Sequence, residues 1–148
     1  MAANTDASWC ARALVTLCLL VFPVLVPLLE VNASHLLNPS WPAHARLHEA
    51  WQLLANGAVA LCAIAWTWMH GRFRQACLLG MLLAGSFVLA WLLRDAYGGS
   101  MQGTTTGGSK VLGVDLAVAV TSATLCVFAK GLLGSRARSA VAASRPAS

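Results

Sequence analysis

The stretch from Ala76 to Leu93, ACLLGMLLAGSFVLAWLL, decides the fold class. It is 18 residues long and carries no charge. At about 1.5 Å per residue it makes a helix of about 27 Å, close to the ~30 Å hydrocarbon core of a bilayer. Ala76, Gly80 and Ala84 recur one turn apart. They form a stripe of small residues that lets a second helix come close.

Other runs of the same kind flank it. Ala13 to Leu29 is free of charge and contains Pro23 and Pro27. A run expected as a helix over about 44–69 has two polar turns and then an apolar remainder that ends in Trp66, Trp68 and His70, an interfacial aromatic belt. A fourth run, Val111 to Leu133, is broken by Asp115 near one end and carries a second small stripe at Gly113, Ala117 and Thr121. Of the 148 residues, 58% are hydrophobic and 10% charged. An average soluble domain is about 25% charged. The expected fold is therefore all-α, a polytopic membrane protein built as a four-transmembrane-helix bundle. Its helices are placed at about 13–29, 44–69, 76–93 and 111–133, within one membrane domain, 13–133. Residues 1–12 are expected as a short cytoplasmic lead and 134–148 as a disordered basic tail.

Charge placement then decides between partners. The formal net charge is +5. The basic residues sit in short segments beside apolar runs, which is the pattern of membrane topology. No aromatic and basic interleaving or nucleic-acid motif is present. The expected partner is the lipid bilayer, with no nucleic acid. Arg12, Arg72, Arg74, Lys130, Arg136, Arg138 and Arg145 fall on one side of the proposed topology, and Arg46, Arg94 and Lys110 on the other. The excess marks the first side as cytoplasmic, with both termini there, and a bacterial inner membrane suits the chain. A cleaved secretory signal with Val31-Asn32-Ala33 at its end is the alternative reading of the first run. Oligomeric state is not fixed by these features.

Two local patterns carry less. The segment from Gly98 to Ser109 is rich in Gly, Ser and Thr but has no phosphate-cradle spacing, so it is expected as a surface loop. Cys10, Cys18, Cys62, Cys77 and Cys126 form no C-x-x-C pair, and are expected as small apolar packing residues rather than disulfides.

The polar chemistry concentrates between Glu30 and Asn56. This stretch holds His35, His44 and His48, three of the four histidines, and Glu30 and Glu49. In the proposed topology these groups share the non-cytoplasmic side with Asp95 and Asp115. Asp115 is expected just inside the hydrocarbon, where an ionisable group faces the bundle interior. His44 and His48 are one turn apart on one helix face, and Gln52 and Asn56 continue the stripe. The expected site is a polar pocket that opens on the non-cytoplasmic side. His44, His48, Glu49 and Asp115 are the candidate acid–base residues, and Glu30, Asn32, His35, Asn38, Gln52 and Asn56 the candidate ligand-binding residues.

Three uses of such a pocket follow. The first is non-enzymatic: an accessory protein, or a binder of a small lipophilic molecule. The second is a small membrane enzyme of isomerase or mutase type, in which a His and a carboxylate move a proton on an apolar substrate. The third is a metal-binding protein or transporter, with His44 and His48 completed by Glu30, Asp95 or Asp115. His44-x-x-x-His48-Glu49 is not the H-E-x-x-H pattern, and no cofactor is assigned. Against all three stands a structural role, with Trp41, His44, Arg46 and Trp51 as interfacial anchors. Asn32-Ala33-Ser34 also fits a glycosylation sequon, which is read as coincidence.

The box Asn32-x-Ser34-His35-Leu36-Leu37-Asn38-Pro39-x-Trp41-Pro42-x-His44-Ala45-x-x-His48 resembles the signature of a family of small four-helix membrane proteins of unknown function in bacteria and fungi, loosely DoxX-like. Glu30 takes that family's acidic position, Ser34 stands in place of Thr, and Ala43 in place of a second Pro. The resemblance covers about 20 residues together with the helix count. It implies architecture, and Glu30, Asn32, His35, Asn38, His44 and His48 as the shared residues, but it implies no activity. A weaker resemblance, in His48, Glu49 and Asn56-Gly57, is to small membrane mutases that rearrange hydroxylamino-aromatics.

Overall fold

The computed structural model describes residues 7–101, 110–111 and 114–143. Four helices are long and apolar enough to cross a membrane: Trp9–Glu30, Ala43–Trp68, Phe73–Leu92 and Leu116–Ser135. The all-α four-helix bundle is thus the fold.

The first rod has three parts. Helix α1 (Trp9–Leu20) starts at Ser8, whose hydroxyl accepts from the Ala11 N–H at 3.2 Å. A π-helical turn follows over Val21–Leu25, then α2 (Val26–Glu30). The two prolines explain the turn. Pro27 has no N–H to give to the Pro23 carbonyl, so the regular ladder is interrupted. The Val26 N–H instead reaches back to the Val21 carbonyl, a π-type step.

Helix α3 (Ala43–Trp68) begins directly after Pro42, and α4 (Phe73–Leu92) follows a tight turn. Gly71 in that turn has φ of 61°, a left-handed conformation that costs a side-chain-bearing residue energy. A 3-10 turn, Arg94–Ala96, closes α4. Past the Gly-rich segment, a two-residue antiparallel ladder pairs β1 (Lys110–Val111) with β2 (Val114–Asp115). Helix α5 is Leu116–Ala143. It starts five residues later than the expected 111, because Val111 and Val114 are held in the ladder and Asp115 caps the helix. It also runs past 133 into the segment expected as disordered tail, as an Ala-rich stretch with good helix propensity continues the turns.

The helices form a ring in which α1 packs on α3, α3 on α4, α4 on α5 and α5 on α1. At one end the Trp68 indole N–H donates to the Thr16 hydroxyl at 2.8 Å, and the Trp9 and Trp68 rings meet at 6.2 Å. Gly131 of α5 faces Cys77 and Phe73 of α4 at this same end. Neighbouring helices are thus antiparallel. The core is built from Val15, Leu19, Phe22, Ala60, Ala63, Phe73, Ala76, Cys77, Ala84 and Phe128. Ala76, Gly80 and Ala84 are buried, and a Cβ on Gly80 would lie 2.7 Å from the Phe128 ring. The small stripe therefore seats Phe128 and brings α4 and α5 together.

Large apolar side chains cover the outside. Leu28 and Leu54 are each 74% exposed, Leu82 is 68% exposed and Leu17 64%. Such a surface suits lipid rather than water, where contiguous apolar patches are small. Two buried hydroxyls are satisfied within their own helices: Thr67 donates to the Ala63 carbonyl at 3.0 Å and Thr124 to the Thr121 carbonyl at 2.8 Å. The five cysteines are free.

Candidate functional site

The loop between α2 and α3 is organised by its own side chains. Asn32 Oδ1 accepts from the Ser34 N–H at 2.8 Å and from the Ser34 hydroxyl at 2.6 Å. Its amide nitrogen donates to the Leu29 carbonyl. Six residues on, Asn38 Oδ1 accepts from the Ser40 N–H at 2.9 Å and from the Ser40 hydroxyl at 2.7 Å. Both are Asx turns, in which a short side chain takes the place of a backbone acceptor. Asn32 and Asn38 thus shape the chain, and the two Asn-x-Ser triplets have one structural explanation.

The first of these turns fixes His35. Because the Ser34 hydroxyl proton goes to Asn32, its oxygen accepts from His35 Nδ1 at 2.9 Å. That leaves Nε2 toward Glu30, whose Oε2 lies 3.5 Å away. The His35 ring also meets the edge of Trp41 at a centroid distance of 6.2 Å. Glu49 of α3 bears electrostatically on Glu30 from across the loop.

Glu30, Asn32, Ser34 and His35 line a cavity of about 450 Å³ between the first rod and the start of α5. Its apolar wall comes from Val21, Leu25, Leu29, Leu116 and Val120, and Asp115 of β2 and Thr121 of α5 add polar groups. Asp115 Oδ1 accepts from the Ala117 N–H at 3.0 Å, so the carboxylate is a helix cap. This corrects its expected place inside the fourth helix, although Asp115 lines the same cavity as Glu30 and His35.

The other half of the box lies elsewhere. The expected inward stripe of His48, Gln52 and Asn56 is not the inward face of α3. That face is Leu53, Gly57, Ala60 and Ala63. At about 100° per residue, His44 lies about 180° and His48 about 140° around the helix from Leu53. His44, His48 and Gln52 are exposed, while Glu49 and Asn56 sit on the shoulders of the buried face. The physical reason is position along the helix. The first two turns of α3 are at its polar end, where lipid exerts no pressure to turn an imidazole inward. The inward face is chosen instead by small residues: a Cβ on Gly57 would sit 3.7 Å from Pro23 Cα.

On that outer face the two imidazoles meet. His44 Nε2 and His48 Nε2 are 2.9 Å apart, with ring centroids at 4.4 Å, and the Trp51 ring is 5.9 Å from that of His48. No carboxylate completes a shell around them: among the described residues, no three His, Cys, Asp or Glu side chains are placed to hold one ion. Asp95 instead lies beside Arg94, at 3.7 Å.

Sequence reasoning passes over Ser34, Thr121 and the apolar wall of the cavity. Ser34 is read only as a sequon or as a replacement for Thr, and nothing in its local pattern marks it as the residue that orients His35. Compared with family models, curated proteins and solved structures, the chain matches none.

Proposed function

We propose that this is an integral membrane protein that binds a small lipophilic molecule in the cavity between the first rod and α5. The observation that supports the reading is the composition of that cavity. At about 450 Å³ it lies within the range of small-molecule sites, about 300–1,000 Å³. Apolar helix faces form most of the wall, and the ionisable groups of the lining, Glu30, His35 and Asp115, come from the end of α2, the loop after it and the residue that caps α5. A molecule with an apolar body and one polar end matches this distribution. Family membership is proposed on the box from Asn32 to His48 alone. The excess of basic residues at the Arg72 and Lys130 end supports both termini on the cytoplasmic side of a bacterial inner membrane, which opens the cavity to the non-cytoplasmic side.

The test is thermal stability of the protein in nanodiscs against decanol, decylamine and decanoic acid. At least one should raise Tm of the wild type. Val120→Trp, which fills the cavity from α5, should abolish that rise. A rise of equal size in both proteins would refute the reading, because the effect would then come from the bilayer.

The second reading, acid–base chemistry on the bound molecule, rests on the Glu30–His35 pair. Ser34 holds Nδ1, so Nε2 is the atom that can exchange a proton with Glu30 or with a guest between them. In this reading His35 and Glu30 replace His44 and His48 as the acid–base residues. It predicts that His35→Gln leaves binding of the probe intact and stops its conversion. A conversion that persists in His35→Gln would refute it.

A further inference from the structure

We propose that His44 and His48 form a two-histidine site for a divalent transition-metal ion of tetragonal preference, Cu²⁺ above Zn²⁺, on the outer face of α3. The inference is independent of the cavity.

It begins with the separation of the donor atoms. The two Nε2 atoms are 2.9 Å apart, on side chains one turn apart. With metal–nitrogen bonds of about 2.0–2.1 Å, two ligands subtending about 90° stand about 2.9 Å apart, whereas a tetrahedral pair stands about 3.3 Å apart. The first value is the cis edge of a square-planar or tetragonal shell, the geometry of Cu²⁺ and Ni²⁺. As they stand, one Nε2 gives a proton to the other. A metal ion bound by both lone pairs sits to one side of the Nε2–Nε2 line, at the apex of the angle of about 90°, and the hydrogen displaced from Nε2 is carried on Nδ1 of the same ring, so that both rings remain neutral ligands.

Access and support point the same way. Both histidines are exposed, so the remaining equatorial positions are open to water. They project from a continuous helix of 26 residues, which holds the two Cα positions fixed. Imidazole suits copper and nickel, and copper heads the affinity order for such sites. The expected three-residue shell with a carboxylate is not assembled, so the site is a chelate of two protein ligands completed by solvent.

Trp51 supplies the readout. Its ring lies 5.9 Å from that of His48, within range for quenching by bound Cu²⁺. The full-length protein without a histidine tag, in nanodiscs, is titrated with CuCl₂ in glycine as a competing chelator, following tryptophan fluorescence. Saturable quenching at one ion per chain is expected, reversed by EDTA. His44→Ala and His48→Ala should each weaken it at least tenfold, and His70→Ala should leave it unchanged. Trp51→Phe should remove most of the quenched amplitude while one ion per chain still binds by calorimetry. Electron spin-echo modulation of the wild type should count two equatorial imidazoles. Wild-type affinity in both His44→Ala and His48→Ala, or a count of fewer than two imidazoles, would overturn the proposal. Because both positions are exposed, either variant should keep the wild-type Tm, which separates loss of ligand from loss of fold.

Discussion

Replacing Gly80 by Ala should destabilise the bundle, by an amount that the contact with Phe128 sets. A Cβ built at Gly80 falls 2.7 Å from Phe128 Cε1 and Cζ and 2.8 Å from Cδ1. Unstrained carbon atoms sit about 3.5–4.0 Å apart, so roughly 0.8 Å of overlap must be relieved. Phe128 is fully buried and cannot swing into lipid. Either the ring leaves its rotamer, at about 0.5–1.5 kcal/mol, or α4 and α5 separate and lose packing along the seam. Overpacking of this kind costs about 1–3 kcal/mol. For a chain of this size each kcal/mol moves Tm by about 2–4 °C, which gives an expected fall of about 2–12 °C. The assay is thermal unfolding in nanodiscs followed by circular dichroism. Phe128→Leu in the same chain removes the ring atoms that clash. The double variant should then be more stable than the sum of the two single losses by about 1 kcal/mol or more. Gly57→Ala is the internal control, because its Cβ would meet Pro23 at 3.7 and 3.8 Å, ordinary contact distances. A Gly80→Ala protein that melts with the wild type, or strict additivity with Phe128→Leu, would refute this picture of the α4–α5 seam.

Three further outcomes follow from local geometry. Asp115→Ala should cost about 1 kcal/mol through loss of the α5 cap, and Asp115→Asn much less, since Asn keeps the acceptor for the Ala117 N–H; chemical denaturation compares the two. Asn32→Ala should release the turn that orients His35 and speed hydrogen exchange of the Ser34 amide. Asn32→Asp, which retains Oδ1, should protect that amide better than Asn32→Ala does. Gly71→Ala places a Cβ in the left-handed region at φ of 61° and should lower stability by about 1–2 kcal/mol, with unchanged Tm as the contrary result.

The helices were legible because each has a single dominant cause. A charge-free run of bilayer length can do little else, and the stripe at Ala76, Gly80 and Ala84 marks a close helix contact, although only the seat of Phe128 against Gly80 names α5 as the partner. The inward face of α3 was not legible from its polar residues. Polarity at His44, His48 and Gln52 reports where a helix meets water and headgroups, not which way it faces its neighbours. The small residues Gly57 and Ala60 carried that information. Asp115 shows a different limit. Its helical position could be counted from either end of the apolar run, and only the ladder at Val111 and Val114 makes it a cap. The cavity wall was invisible for a simpler reason: Val21, Leu25 and Val120 look like every other lipid-facing residue until the first rod and α5 are seen to diverge around them.

Photolabelling distinguishes a binding site between the first rod and α5 from an ordinary lipid-facing surface. The protein in nanodiscs is irradiated with a medium-chain alcohol that carries a diazirine, and the labelled residues are mapped by peptide mass spectrometry. Adducts should concentrate at 21–35 and 115–121, be suppressed by excess unlabelled decanol and be lost in Val120→Trp. Label spread over the exposed leucines of all four helices, and indifferent to competitor, would mean that there is no binding site there.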